Sequence, residues 1–297
     1  MVIRVEKFFF GSDKTRWDLV RILSGLCVLL PLLLMGWSGN YERSYGHYGM
    51  LPRTAAMDIV YWPGYLFLMK PDPTWIWRIY WATVAASLCL TLGLWTRIAA
   101  AVTFFLYVAT IQRNLSSFNG ECGILAVTLV ALIFAAAPQR MSIDHLVLKK
   151  PLPAITEAWP ARFLQFNICM MYLFTTIGKL LGTWDLGMGE IWYQITLSDW
   201  FRFPDAEWLR ARWVCLVAVH GSLLLEGSFA LLVWTRLRLL LVLLLIVLHT
   251  LIAIMFCNAL FFFNLAAIAA LCGFLKAGDF TRLTIARGKS VTQSVAA

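Results

Sequence analysis

Charge is what this sequence has least of. Asp, Glu, Lys and Arg make up 14% of its 297 residues, against about 25% in an ordinary soluble domain. The apolar share is 61%, with a mean hydropathy of +0.75, more apolar surface than the polar groups could cover. A soluble fold around one hydrophobic core is therefore excluded. Cysteine pairing is also missing: Cys27, Cys89, Cys122, Cys169, Cys215, Cys257 and Cys272 stand singly, with no C-x-x-C and no zinc-ligand spacing. Most lie in apolar stretches, where a thiol acts as a small filler. No phosphate-binding glycine loop, Ser-His-Asp spacing or H-E-x-x-H helix is present. His47 and His145 lie in loops without partners for a metal site. The net charge of +9 is not gathered into a basic stripe interleaved with aromatics, so nucleic acid is not an expected partner.

What is present is a series of apolar runs close to the roughly 20 residues that cross a hydrocarbon core. In order they are Trp17–Trp37, Trp75–Trp95, Ile98–Gln112, Glu121–Ala137, Ala161–Leu181, Trp213–Trp234, Leu239–Phe256 and Ala259–Leu275. Several are flanked by Trp, as expected at headgroup level. The fold class is all-α: a polytopic transmembrane helix bundle of about eight spans, forming one domain over residues 1–297. Val2–Phe10 reads as an interfacial helix within a polar start at 1–16, and 276–297 as a cytoplasmic tail. The acidic residues Glu6, Asp13 and Asp18 in that start argue against a cleaved signal peptide. Fifteen of the 25 basic residues fall on the side of the N-terminus and eight on the other, which places both termini in the cytoplasm of a cell inner or plasma membrane. Two connections on the outer side, Ser38–Thr74 and Gly182–Arg212, are too long for simple turns and are expected to be structured caps. Within the first, Ile59–Met69 is too short to span and is broken by Pro63–Gly64, so it reads as re-entrant or interfacial.

Polar side chains inside spans are costly, so each is a candidate for function. They are Arg21, Gln165, Asn167, Lys179, His220, Glu226, His249, Asn258 and Asn264. Counted at ~1.5 Å per residue, His220 and His249 fall at similar heights in the outer half of the bilayer, with Lys179 further out and Glu226 deeper. A Lys, a Glu and His side chains converging in an apolar bundle suit proton transfer, because burial brings acid and base toward matched proton affinity. The structural alternative is a network in which Glu226 pairs with Lys179, Arg236 or His249 to neutralise buried charge. Asn258 and Asn264 read as links between helices or as helix-start groups rather than as ligands.

The run Gln112-Arg-Asn-Leu-Ser-Ser-Phe-Asn-Gly-Glu-Cys-Gly123 is a dense polar turn on the outer side. Asn119 and Gly120 suit a tight turn, and Glu121 and Cys122 start the next helix. Arg113, Asn114, Asn119 and Glu121 are candidates for ligand binding, the alternative being an ordinary interhelical loop.

These motifs resemble the HTTM membrane domain, shared with vitamin K-dependent gamma-carboxylases. The family's Gly-x-Leu-Pro-Arg element resembles Gly49-Met-Leu-Pro-Arg53, and its Arg-Asn…Asn-Gly-Gly-Asp turn resembles Arg113-Asn114…Asn119-Gly120-Glu121. Its Ser-Leu-Asp resembles Ser142-Ile-Asp144, and its Tyr-Lys-Trp-Gly run resembles Tyr172…Lys179…Trp184…Gly187. A late Glu followed by a helix ending Leu-His resembles Glu226 and Leu248-His249. The likeness runs in order along nearly the whole chain. It implies a reduced quinone of vitamin K or menaquinol type as cofactor, with the base region for its deprotonation falling on Lys179; in the carboxylases the oxygenated hydroquinone then takes a proton from a glutamate side chain, to which carbon dioxide adds. The turn departs from the family at Asn-Gly-Glu-Cys, and Gln112 stands where many relatives have His. The large extracytoplasmic substrate domain of the carboxylases is expected to be absent.

The leading expectation is a carboxylase-like, quinol-dependent membrane enzyme. Lys179, His249 and Glu226 are its catalytic group, and Arg113, Asn114, Asn119, Glu121, His220 and Trp184 hold the ligand, with no metal. The alternative is a non-catalytic membrane partner assisting maturation or export of another protein or peptide, as related small membrane proteins do for a secreted toxin peptide. A transporter is a third possibility, but no inverted repeat or paired broken helices are visible. The partners expected are the lipid bilayer, a small hydrophobic ligand and a partner protein or peptide.

Overall fold

The computed structural model describes residues 8, 11–12, 15–70, 72–115, 119–154, 156–184, 189–197, 199–257 and 259–279. The expected interfacial helix at Val2–Phe10, apart from Phe8, lies outside them, as do Asn258, Gly187 and the tail beyond 279. Every long element among the described residues is a helix: α1 Trp17–Trp37, α2 Thr74–Leu92, α3 Thr96–Arg113, α4 Gly120–Phe134, α5 Trp159–Gly178, α6 Arg212–Leu232, α7 Arg238–Met255 and α8 Ala259–Leu271. Each matches one of the apolar runs.

Five of these helices, α1, α2, α5 with its extension, α6 and α7, are long and apolar enough to cross a membrane. The physical reasons for the other three differ. The α3 helix carries Thr96, Thr103, Thr110 and Arg113 on its buried side, which lowers its hydropathy. The α4 helix has 15 residues, roughly 22 Å of rise, short of a ~30 Å core. The α8 helix has 13 residues and is prolonged by a 3-10 turn, Cys272–Phe274.

The helices pack as successive antiparallel neighbours, with α1 against α2 and α8, and α4 against α3, α8 and α5. The segment just before α1 and the segment just after α8 meet at one end of the bundle, where the Arg16 amide donates to the Leu275 carbonyl at 3.0 Å. There Arg238 forms an ion pair with Asp279 at 2.7 Å. Arg21 is wholly buried, and it donates to the carbonyls of Leu90, Thr91 and Met141. It closes the C-terminus of α2, so its intramembrane charge serves a helix end. Nearby, Asp144 accepts from the Trp95 amide at 2.8 Å and from Lys150 at 2.6 Å. The Ser142-Ile-Asp144 motif therefore clamps the turn between α2 and α3.

Both long connections at the opposite end carry helical structure. The first contains Asn40–Tyr45, Arg53–Ile59 and a 3-10 turn, Gly64–Leu68. That turn sits directly on α3: a Cβ on Gly64 would come within 2.7 Å of the Gln112 carbonyl carbon and 2.9 Å of the Arg113 nitrogen. The second contains Gly189–Leu197 and Glu207–Arg210. It is stapled to the end of α7, where the Arg202 amide donates to Met255 O and the Cys257 amide to Trp200 O, both at 2.9 Å. Ile195, Phe201 and Leu209 form a small core there with Met255 and Phe256.

Candidate functional site

Below that cap, α4, α5, α6, α7 and α8 line a cavity of about 900 Å³. Its walls follow helical periodicity. On α5 the lining residues include Ile168, Tyr172 and Thr175, followed by Lys179 in the turn that extends it; on α6 they are Val214, Ala218, Ser222 and Glu226. Steps of three and four keep each set on one helix face. Ile191, Ile195 and Leu209 of the cap close the end, and Met170, Phe174, Ile252 and Phe263 make the wall largely apolar.

Two polar groupings face this cavity. In the first, Lys179 Nζ donates to both Glu226 carboxylate oxygens, at 2.9 and 2.7 Å. The same ammonium lies 4.3 Å from the centre of the Trp184 ring, a cation–π contact worth about 0.5–2 kcal/mol depending on desolvation. Local backbone explains the placement: α5 widens into a π-helical turn, Lys179–Thr183, which Gly182 ends at φ +113°. That left-handed conformation favours glycine, and it turns the chain so that Trp184 comes back under Lys179.

The second grouping is a chain of three side chains. Tyr172 Oη lies 2.7 Å from His249 Nε2, and His249 Nδ1 lies 2.6 Å from Asn264 Oδ1. Asn264 Nδ2 in turn donates to the Leu260 carbonyl at 2.6 Å. All three residues are buried. Tyr172 packs edge-on against Phe229, with ring centres 5.2 Å apart.

Of the residues expected in the site, Lys179, Glu226, His249 and Trp184 come together at this cavity. His220 does not. It lies two positions from both Ala218 and Ser222, about 200° round the helix from each, and is exposed on the outer face of α6. The polar turn is also placed elsewhere. Arg113 is 1% exposed and donates to the carbonyls of Gly46 and Leu51, at 3.2 and 2.8 Å. Asn114 donates to Ser44 O at 3.2 Å. These two side chains hold the first connection, including the Gly49–Arg53 element, onto the end of α3. Asn119 caps α4 by accepting from the Cys122 amide at 3.3 Å, and Glu121 is buried on α4 without lining the cavity. Among the described residues of that turn, only Gly120 and Gly123 reach the wall.

Tyr172 and Asn264 were not among the expected site residues. For Tyr172 a signal exists: it precedes Lys179 by seven residues, two helical turns, which places both on one face. Asn264 carries no comparable signal, because an intramembrane Asn reads equally well as a link between helices. No group of three or more His, Cys, Asp or Glu able to hold a metal ion occurs among the described residues.

A family model described as the HTTM domain matches residues 11–276. The chain belongs to the HTTM domain family. With its long apolar helices, it is an integral, multi-pass membrane HTTM protein. The motifs that carry the resemblance fall into two physical classes in this HTTM chain. Gly49–Arg53, Arg113-Asn114 and Ser142–Asp144 fix turns and helix ends, whereas Tyr172, Lys179, Trp184, Glu226 and His249 face the cavity. Comparison with curated proteins and with solved structures returns no match.

Proposed function

We propose that this HTTM protein binds a reduced quinone in the cavity and carries out proton chemistry on it, as a carboxylase-like, quinol-dependent membrane enzyme. The observation that carries this reading is the arrangement of the polar groups: an ion pair and a hydrogen-bonded Tyr-His-Asn chain face an otherwise apolar cavity. Intramembrane ionisable groups are rare unless function holds them there. The volume lies in the upper part of the range for small-molecule sites, which combine apolar walls with a few oriented polar groups. Met170, Met171 and Phe174 suit an isoprenoid chain, and the polar groupings suit phenolic oxygens.

A bound hydroquinone supplies an ionisable hydroxyl and two reducing equivalents. Lys179, steadied by Glu226 and Trp184, offsets negative charge developing on a ligand oxygen. His249 is the proton acceptor, through Tyr172, because Asn264 holds the proton on Nδ1 and leaves Nε2 unprotonated. The same reading has eight crossings, with the end where Arg16 meets Leu275 facing the cytoplasm. The contact between the segment before α1 and the segment after α8 supports an even number of crossings, and the excess of basic residues supports the orientation.

A second reading, a non-catalytic membrane partner for another protein or peptide, is favoured by one observation. Lys179 and Glu226 satisfy each other, as a purely structural pair would. Reconstitution into liposomes with menadiol separates the two. The enzyme reading predicts aerobic consumption of the hydroquinone, lost in the double variant Lys179→Met, Glu226→Gln. Consumption no faster than in protein-free liposomes would move the assignment to the partner role.

A further inference from the structure

The hydrogen-bond directions around His249 can be deduced from the one end of the chain that allows no choice. The Leu260 carbonyl can only accept, so the Asn264 atom 2.6 Å from it is the amide nitrogen. The other Asn264 atom, facing His249 Nδ1 at 2.6 Å, is therefore the oxygen, and Nδ1 must donate to it. In a neutral imidazole this leaves Nε2 as a bare acceptor. Nε2 lies 2.7 Å from Tyr172 Oη, so the tyrosine hydroxyl donates to it. The phenolic oxygen has then spent its only hydrogen and retains only the capacity to accept. Tyr172 and His249 both line the cavity.

Resting on the reading that the cavity binds a quinol, we infer that Tyr172 selects the hydroxyl form of the ligand, with Asn264 as the positioning residue that fixes the His249 tautomer behind it. A ligand hydroxyl donates to Tyr172 Oη, and its hydrogen bond continues the chain in one direction through His249 to Asn264. A ligand carbonyl or ether oxygen at the same place sets lone pair against lone pair. Tyr172 could then donate to the ligand only by giving up its bond to His249 and leaving Nε2 unsatisfied, a costly state for a buried acceptor. The site thus distinguishes the reduced from the oxidised ring by hydrogen-bond polarity at Tyr172.

The same polarity sets a route for the proton. As Tyr172 Oη accepts the ligand's proton, its own proton passes to His249 Nε2. One O–H bond breaks on the ligand and one N–H bond forms on the imidazole, leaving an oxyanion and an imidazolium with no change in electron count. Tyr172 is unchanged at the end of the step. Asn264 Oδ1 holds the Nδ1 proton throughout, and the Lys179 ammonium in the same cavity wall offsets the anion.

The test uses the whole protein in mild detergent and measures affinity rather than turnover. Three probes are compared: menadiol kept under reductant, menadiol dimethyl ether, and menadione. The ether keeps the ring and adds only methyl groups, but has no hydroxyl to donate. Wild type should bind menadiol about three- to tenfold more tightly than either other probe, the factor of one hydrogen bond. Tyr172→Phe keeps the ring contact with Phe229 and should abolish the difference; Asn264→Leu, which frees the tautomer, should reduce it. Equal affinity of wild type for menadiol and its ether, or a preference that survives in Tyr172→Phe, overturns this inference and leaves the quinol reading standing. If none of the three probes binds, the quinol reading falls and the inference with it.

Discussion

Lys179 Nζ reaches both carboxylate oxygens of Glu226, at 2.9 and 2.7 Å, across 47 positions of sequence and from a neighbouring helix. The two side chains are largely buried, with 17% and 10% of their surface accessible. Removing one partner of such a pair leaves the other charge in a poorly solvated place, at a cost of about 3 kcal/mol, whereas removing both leaves none. Lys179→Met and Glu226→Gln should therefore each lower the melting temperature in detergent, and the double variant should recover most of the loss. Additive losses in the double variant would mean that the two groups do not neutralise each other.

A different outcome is expected for the polar turn. Arg113 donates to two carbonyls of the first connection and does not line the cavity. Arg113→Ala should loosen that connection, seen as faster proteolysis near residues 46–53, and should change menadiol affinity by no more than about twofold, well under one lost hydrogen bond to a charged group. A larger loss of affinity with unchanged proteolysis would return Arg113 to the binding site.

Gly64 gives a steric test of the same seam. An alanine there would press on the backbone of Gln112 and Arg113, which cannot swing away as a flexible side chain could. Gly64→Ala should cost about 1–3 kcal/mol and reproduce the proteolysis seen with Arg113→Ala. Wild-type stability and wild-type proteolysis would show that the 3-10 turn does not rest on α3.

At the other end of the bundle, burial pushes the Asp279 carboxyl up. Hydrogen bonds from Arg238 and the Lys276 amide outweigh it, with the nearby charges of Arg238 and Lys276, and hold it below its ordinary value of 3.8. A carboxylate whose folded pKa is depressed contributes stability above the unfolded value and loses it as pH falls through the folded one. The difference in melting temperature between wild type and Asp279→Asn should be constant near neutrality and shrink as pH falls below 3.8. A difference that grows on acidification would have the wrong sign for this pairing.

The parts of the fold that were legible in the sequence are those set by chain-local chemistry. Apolar length marked the helices, and scarce intramembrane charge marked Lys179, Glu226 and His249. What was not legible depends on the rotation of each helix about its axis. His220 was placed by its height along α6, and height says nothing about direction; it points away from the face that carries Ala218, Ser222 and Glu226. Asn264 depends on the registry of α8 against α7, which brings it to His249 across 15 positions. Arg113 and Asn114 looked like ligand groups because their partners are carbonyls 62 to 70 positions away. A backbone carbonyl leaves no mark in the sequence.

The direct measurement for the central claim is the affinity of the purified protein for menadiol, set beside that of the double variant Lys179→Met, Glu226→Gln. That variant removes both charges together, so it should fold with near wild-type stability. The account predicts saturable binding by the wild type and binding at least about tenfold weaker in the double variant, through loss of the ammonium that faces the ligand oxygen. Equal affinity in the two proteins, or no binding by either, would contradict it.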